Sequence, residues 1–114
     1  MRTISIEALV TWLNSTEPPR LIDVLGREHF ELVHLPGAEN IPRAELRQRA
    51  LKEIGLDEPV VVYCSDRDCS ESPCAAAILE ELGYLEVFHF EGGIAEWRRR
   101  GLPVLRSVRE ADRS

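Results

Sequence analysis

The chain has 114 residues, of which 44% are hydrophobic and 30% are charged, and its formal net charge is −6. This length suits one compact domain with a hydrophobic core of its own. The acidic balance disfavours a nucleic-acid-binding protein, because such proteins neutralise phosphates with Lys and Arg. The one basic cluster, RRR at residues 98–100, falls late in a predicted helix and is expected to be a solvated helix end.

The N-terminal segment has neither a long apolar run nor a small-residue cleavage site, and no segment approaches the ~20 apolar residues of a membrane span. We therefore expect a cytoplasmic protein without a signal peptide or a membrane segment. Thiols stay reduced in that compartment. The chain has three cysteines, and this odd number also argues against a disulfide framework.

The first half of the chain contains a predicted helix, a strand and a second helix. Ser5 is suited to cap a helix over Ile6–Leu13. The continuous apolar run at 21–25 (LIDVL) is typical of a strand that is covered on both faces, as in a parallel sheet. After a helical turn and a loop, a brief extended piece is predicted at 39–41, and an amphipathic pattern at 43–55 predicts the next helix.

The second half continues the alternation of strands and helices. The run at 59–64 (PVVVYC) predicts a second buried strand, and the run at 84–90 (YLEVFHF) predicts a third. A helix is predicted between them. Ser72 is suited to its N-cap, Pro73 to its first position and Gly83 to the residue after its last turn.

A closing helix is predicted at 92–101, and a polar tail at 105–114 follows a single domain at 1–104. The alternation predicts an α/β domain with a mainly parallel sheet. In such sheets the functional site lies beyond the carboxyl ends of the strands. Cys64 occupies that place, directly after a strand that we expect to be central.

Cys64 is followed by a charged loop that leads into a helix. Unpaired backbone N–H groups at a helix start, curled around a sulfur atom, would stabilise a thiolate and any anion attached to it. A cysteine in such a place becomes a nucleophile at neutral pH, although a buried packing cysteine is the alternative. We predict Cys64 as the catalytic residue. The predicted loop around it, called the 65–72 loop below, consists of Ser65, Asp66, Arg67, Asp68, Cys69, Ser70, Glu71 and Ser72.

The expected roles of the other two cysteines, Cys69 and Cys74, differ from that of Cys64. Cys69 is either an idle thiol or an accessory thiol that resolves an oxidised Cys64. Cys74 stands beside an alanine run in the predicted helix, and we expect it to pack in the core. The cysteines are five residues apart each time, which differs from the close C-x₂₋₄-C pairing of structural zinc sites. We therefore predict no metal site.

Several segments together resemble the single-domain rhodanese family. They are LIDVL, HLPGAENIP at 34–42, VVVYC, and a closing segment with GG at 92–93 and Trp97, and the resemblance covers about residues 21–104. It implies a three-layer domain with a five-stranded, mainly parallel sheet flanked by helices. It also implies sulfur transfer without a cofactor. In the family the active cysteine, here Cys64, attacks a sulfane-sulfur donor, becomes a persulfide and passes the sulfur to a thiol or protein acceptor.

The 65–72 loop departs from the family pattern. Where typical members have a glycine three residues after the cysteine and an arginine five residues after it, this chain has Arg67 and Cys69. The longer loop resembles that of a rhodanese-like subgroup with Cys-x₄-Cys spacing. One alternative is a non-catalytic or redox-sensing binding module. Another is a phosphate or arsenate enzyme, which needs an arginine six residues after the cysteine, where Ser70 stands.

Acidic residues dominate this loop, with Asp66, Asp68 and Glu71 against Arg67. Acidic neighbours raise the pKa of a thiol and repel anionic donors. We therefore expect thiosulfate to be a poor donor, and a persulfide on a protein or a small thiol to be a better one. Asp23, at the end of the first buried strand, is expected to be an accessory residue that organises nearby loops through hydrogen bonds. The sequence leaves both a monomer and a homodimer open.

Overall fold

The sheet is built from five short strands that run parallel to one another. In the computed structural model, which describes residues 2–107, every neighbouring pair of strands is parallel. The strands are β1 (Arg2–Thr3), β2 (Arg20–Asp23), β3 (Glu39–Asn40), β4 (Val60–Tyr63) and β5 (Val87–Phe90). Their order across the sheet is β1-β5-β4-β2-β3, which makes β4 the central strand. The predicted α/β fold with a five-stranded parallel sheet is confirmed.

Helices connect the strands, and several of their ends follow the predicted signals. The helices are α1 (Ile6–Leu13), α2 (Arg27–Leu32), α3 (Leu46–Glu53), α4 (Glu71–Leu82) and α5 (Gly93–Arg99), with a 3₁₀ turn at Arg43–Glu45 before α3. Ser5 caps α1, since its Oγ accepts a hydrogen bond of 3.1 Å from the N–H of Ala8. Gly83 ends α4 with a φ of 106°, a left-handed conformation that favours glycine.

Helices cover both faces of the sheet, so the domain has three layers. One face packs against α3 and α4, and the other packs against α1 and α5. The alternation along β4 supplies both cores. Val60, Val62 and Cys64 point toward α3 and α4, whereas Val61 and Tyr63 point toward α1 and α5. All five side chains are buried, which is why the run reads as continuously apolar.

The two chain ends differ from the prediction. Strand β1 was not predicted, because two exposed residues carry no detectable alternation; it pairs with β5 at the edge of the sheet. The first residues of the expected tail, from 105 onward, also make backbone hydrogen bonds to the domain. Leu105 and His34 exchange two backbone hydrogen bonds, and the N–H of Ser107 donates to the carbonyl of Glu31 at 2.9 Å. The rest of the predicted tail, residues 108–114, lies outside the described residues.

Between residues 2 and 107, none of the helices is both long enough and apolar enough to cross a membrane.

Candidate active site

The main chain around Cys64 is held by the start of α5. The carbonyl of Cys64 accepts a hydrogen bond of 3.1 Å from the N–H of Ile94, and the carbonyl of Ser65 accepts one of 2.9 Å from the N–H of Ala95. Gly93 lets the two segments approach, since it has a φ of +59° and a Cβ there would lie 2.4 Å from the carbonyl oxygen of Cys64. Gly93, the first residue of α5, therefore helps to set the position of the predicted nucleophile.

The sulfur of Cys64 lies buried under the 65–72 loop, with the residue only 1% exposed. Its Sγ is 3.1 Å from the Oγ of Ser72 and 3.9 Å from the carbonyl oxygen of Asp66. Burial raises the pKa of the Cys64 thiol to about 11, and a hydrogen bond with Cys69 acts in the same direction. The hydroxyl and N–H of Ser72 act against that rise. At neutral pH the resting thiol is therefore protonated.

Ser72 is not the helix cap that the sequence predicted. Helix α4 begins at Glu71, with Ser70 in the capping position, so Ser72 lies in the first turn and faces inward. Its Oγ lies between two buried groups, 3.1 Å from Cys64 Sγ and 2.7 Å from Nε2 of His89. The prediction was wrong because the helix starts two residues earlier than the Ser-Pro pair indicated, which places Ser72 inside the first turn.

His89 is a site residue that the sequence analysis missed. It lies in β5, where alternation points it to the same face as Val87 and therefore toward α4. A signal for it existed, because a histidine at an inward position of a buried strand must find a polar partner. Burial lowers the pKa of His89, with Glu91 opposing this effect, so the ring is neutral at neutral pH.

Cys69 lies beside Cys64 and receives much of the loop's hydrogen bonding. It is half-buried and packs against the core cluster that contains Cys64. Burial by itself would raise its pKa. The hydrogen bond from Cys64, the N–H groups of Glu71 and Ser65 and the hydroxyl of Ser65 outweigh that effect and lower the pKa of Cys69. The backbone N–H groups that we expected around Cys64 are therefore divided between two sulfur atoms. The N–H of Ser72 acts on Cys64, and those of Ser65 and Glu71 act on Cys69.

Cys74 does not pack in the core as predicted. The side chain is exposed, whereas Ala75, Ala76 and Leu79 of the same helix are buried. These three residues define the inward face of α4, and Cys74 lies outside it. Ala77 of the alanine run is exposed as well, so a position beside that run does not place a side chain in the core.

The charged residues of the loop lie at its rim. Arg67 forms an ion pair of 3.1 Å with Glu91, and its side chain is 67% exposed. Glu71 is paired with Arg43. Oδ1 of Asp66 accepts a hydrogen bond from the N–H of Asp68, which shapes the turn. Arg67 is thus engaged away from the sulfurs, and this arrangement gives no support to the phosphate or arsenate alternative.

Asp23 lies on the other face of the sheet from Cys64. It is adjacent to Tyr63 in the β2–β4 register, and both side chains point toward the α1 and α5 side. Oδ1 accepts a hydrogen bond of 2.9 Å from the N–H of Leu25, in the turn that follows β2. Oδ2 is buried without a hydrogen bond among the described residues. Burial raises the pKa of Asp23, while the Leu25 N–H and the nearby Tyr63 hydroxyl oppose that rise.

The described part of the chain contains no group of three or more His, Cys, Asp or Glu side chains arranged to hold a metal ion. The groups that face each other at the site are the Cys64 and Cys69 thiols, Ser72 and His89.

Comparison with known proteins identifies the family. Residues 5–100 match the family described as Rhodanese-like domain. The chain belongs to the rhodanese-like family. This rhodanese-like domain is 34% identical over 102 residues to a protein named Sulfurtransferase from Allochromatium vinosum, which covers 90% of this chain and 92% of that relative. Sulfurtransferases are thus among its homologues.

Other relatives contain the domain as part of a longer chain. It is 43% identical over 84 residues to HTH-type transcriptional regulator Rv0324 from Mycobacterium tuberculosis, covering 74% of this chain but only 36% of the regulator. Among solved structures, Thiosulfate sulfurtransferase from Pseudomonas aeruginosa matches with a TM-score of 0.85 and 27% identity, covering 95% of this chain and 20% of that one. The rhodanese-like domain thus spans well under half the length of each of these two relatives.

Proposed function

We propose that this rhodanese-like domain is a sulfurtransferase that carries sulfane sulfur as a persulfide on Cys64. The observation that carries the proposal is the position of the Cys64 thiol. It follows the central strand β4 and lies beside the N–H and hydroxyl of Ser72 at the start of α4. These groups stabilise negative charge on sulfur. The relatives that are named as sulfurtransferases support the same reaction class.

Sulfur transfer proceeds in two displacement steps with no net oxidation. The Cys64 thiolate attacks the outer sulfur of a donor persulfide, R–S–SH. A new S–S bond forms, the donor S–S bond breaks, and the donor leaves as the thiolate RS⁻. An acceptor thiolate then attacks the outer sulfur of Cys64–S–SH and leaves with it as a persulfide. The Cys64 thiolate is regenerated, so neither step requires a cofactor.

The donor class follows from the charge at the loop rim. Asp66 and Asp68 are exposed there, and Arg67 is already paired with Glu91. A small dianion such as thiosulfate is repelled by this arrangement. We therefore propose a persulfide on a small thiol or a partner protein as the donor, and a thiol or protein thiol as the acceptor.

Persulfide mass spectrometry tests the proposal directly. The protein is incubated with glutathione persulfide or with thiosulfate, the remaining thiols are blocked and the protein is digested with trypsin. Cleavage after Lys52 and Arg67 puts Cys64 alone in the peptide 53–67, whereas Cys69 and Cys74 fall in the peptide 68–98. The expected result is a gain of one sulfur atom on the peptide 53–67 with the persulfide donor, and a smaller gain with thiosulfate.

Two variants complete the experiment. Cys64→Ser should abolish transfer of sulfur to an added thiol acceptor, while Cys74→Ser, which changes an exposed thiol on the same helix, is the matched control and should transfer normally. Absence of added sulfur on the peptide 53–67 with every donor would overturn the proposal and favour a binding module. Neutralisation of Asp66 and Asp68 should increase labelling by thiosulfate, and unchanged labelling would refute the charge argument alone.

The neighbouring thiols support a second candidate function, a redox-sensing module. Cys69 packs against the cluster that contains Cys64, each thiol shifts the pKa of the other, and Cys69 is the more exposed thiol with the lower pKa. We propose that peroxide oxidises the Cys69 thiolate to a sulfenic acid and releases hydroxide. The thiol of Cys64 then displaces water from that sulfur and forms a disulfide. The similarity to a relative that is named as a transcriptional regulator is compatible with a sensing use.

Peroxide treatment separates this candidate from simple sulfur carriage. The expected product is a disulfide between the peptides 53–67 and 68–98, and it should form in the Cys74→Ser variant as readily as in the wild type. In Cys64→Ser the sulfenic acid on Cys69 should accumulate and react with dimedone. If no Cys64–Cys69 disulfide forms at any peroxide concentration that modifies Cys69, the sensing function is excluded.

A further inference from the structure

A buried row of polar atoms leads away from the Cys64 sulfur into the core. Sγ of Cys64 lies 3.1 Å from Oγ of Ser72, and Oγ of Ser72 lies 2.7 Å from Nε2 of His89. The three residues are 1%, 1% and 9% exposed, in that order. They come from the end of β4, the first turn of α4 and the middle of β5, so three separate elements are needed to build the row.

We propose that Ser72 and His89 form a proton relay that accepts the proton of the Cys64 thiol. The inference rests on the proposed sulfur transfer for its use, since Cys64 must be a thiolate to attack a sulfane sulfur. Ser72 touches the reacting sulfur, and His89 acts through Ser72 as a positioning residue that receives the proton.

The direction of the relay follows from the hydrogen-bonding capacity of each atom. A neutral imidazole accepts at one ring nitrogen, and burial keeps His89 neutral. If Nε2 accepts from the Ser72 hydroxyl, the Ser72 oxygen is free to accept from the Cys64 S–H at 3.1 Å. The alternative acceptor for that S–H, the carbonyl oxygen of Asp66, is farther away at 3.9 Å.

Proton movement along this row balances without any outside reagent. The S–H bond of Cys64 breaks and its proton goes to Oγ of Ser72, while the hydroxyl proton of Ser72 goes to Nε2 of His89. The products are a thiolate, an unchanged serine and an imidazolium. When a donor persulfide transfers its outer sulfur to Cys64, the leaving thiolate RS⁻ takes a proton and the imidazolium returns its own through Ser72 or to solvent.

Most N–H donors of the 65–72 loop act on Cys69, so the Cys64 thiol needs another group to accept its proton. The N–H groups of Ser65 and Glu71 act on Cys69, which leaves Cys64 with the N–H of Ser72 and with a pKa raised to about 11. A buried thiol in that state needs a base. Apart from Cys69, the groups within hydrogen-bond reach of Sγ are the Ser72 hydroxyl and N–H and the Asp66 carbonyl, among the described residues. Ser72 alone connects to a titratable ring.

Among residues 2–107, the groups that face His89 come from β4, α4, β1 and its own strand β5. From β4 the Cys64 thiol faces it through Ser72, and from its own strand Glu91 acts on it electrostatically. Glu91 is paired with Arg67 of the loop. Helix α4 contributes the uncharged Ser72, and the neighbouring strand β1 contributes Thr3, which pairs with His89 in register. We therefore expect the reactivity of the Cys64 thiol to change when His89 is protonated or replaced.

The test measures how fast Cys64 is alkylated by iodoacetamide as a function of pH. Trypsin separates Cys64 from the other cysteines, and Cys74, exposed on α4, is the reference for reagent reactivity. His89→Gln keeps a polar side chain that cannot accept a proton, and we expect a fall of at least about tenfold in the Cys64 rate at neutral pH, with the pH profile moved upward. A loss of packing alone would expose the thiol and raise the rate.

Variants of Ser72 provide the matched controls. Ser72→Ala should produce the same fall as His89→Gln, and the double variant should be no slower than either single variant, because the residues act as one unit. Ser72→Thr keeps the hydroxyl and should restore much of the rate. A Cys64 pH profile that is the same within twofold in wild type, His89→Gln and Ser72→Ala would overturn the relay.

Nitrogen-15 NMR of the His89 ring in the wild-type protein tests the relay without any variant, because it shows which ring nitrogen is protonated. At neutral pH, Nε2 of His89 should be unprotonated, and a proton on Nε2 would refute the proposed direction. Both measurements are independent of sulfur transfer. If no persulfide forms on Cys64 but its alkylation profile shifts as expected in the variants, the proposed function is refuted and the relay is supported. If a persulfide forms on Cys64 but the alkylation profile does not shift, only the relay is refuted.

Discussion

Gly93→Ala is the substitution for which the structure makes the sharpest stability prediction. Gly93 has a φ of +59°, a conformation that costs a non-glycine residue about 1 kcal/mol or more. An added Cβ would also lie 2.4 Å from the carbonyl oxygen of Cys64 and 3.0 Å from the carbonyl carbons of Cys64 and Ser65. All three contacts are to backbone atoms, so the backbone at Cys64 and Ser65 has to move.

The movement weakens the hydrogen bonds that Ile94 and Ala95 donate to the carbonyls of Cys64 and Ser65. Each such bond contributes about 1 kcal/mol net. Together with the strain, we expect Gly93→Ala to lower the free energy of unfolding by about 2–4 kcal/mol, and Tm by on the order of 10 °C. Urea and thermal unfolding followed by circular dichroism measure both quantities.

Gly101→Ala is the matched control at the other end of α5. Its φ is +74°, but a Cβ there meets nothing within 4 Å, so only the conformational strain of about 1 kcal/mol applies. The difference between the two variants isolates the contact with the Cys64 carbonyl. Equal losses of stability would refute the contact, and so would an unchanged alkylation rate of Cys64 in a folded Gly93→Ala protein.

Three further predictions concern the frame around the site. Burial raises the pKa of Asp23 in the folded state, so its carboxyl reduces stability as pH rises from about 4. Asp23→Asn should therefore be at least as stable as wild type at pH 7 and should flatten the fall in unfolding free energy above pH 4; a clear loss at pH 7 would contradict this. Arg20 bridges Glu39 and Glu58, and Arg20→Met should cost about 1 kcal/mol, less at about 1 M salt. Cys74→Ser should change stability by less than about 0.5 kcal/mol, whereas a buried thiol would lose more.

Local patterns were enough to predict most of the architecture. The run VVVYC reads as a strand covered on both faces, and β4 is the central strand with every side chain buried. Ser5 and Gly83 mark helix ends through side-chain and backbone effects that act over a few residues. Predictions of this kind succeed because the physical cause lies within the same short segment.

The errors arose where a residue's surroundings depend on helix phase or on distant pairing. Helix α4 starts two residues earlier than predicted, so Ser72 lies in its first turn and is buried instead of capping it. The inward face of α4 was also assigned wrongly, since Cys74 is exposed. The two residues of β1 form a strand only because β5 is beside them. Likewise, Leu105 belongs to the domain because His34 pairs with it.

The sequence by itself determined that Cys64 ends the central strand and precedes a helix, since strand length, polarity and helix-start signals are local. Only the tertiary structure decided which groups face its sulfur. Ser72 and His89 are 17 residues apart and meet because parallel pairing aligns β5 with β4 beneath α4. The division of loop N–H groups between Cys64 and Cys69 is likewise set by backbone curvature. No local preference encodes either arrangement, because each depends on where separate elements pack.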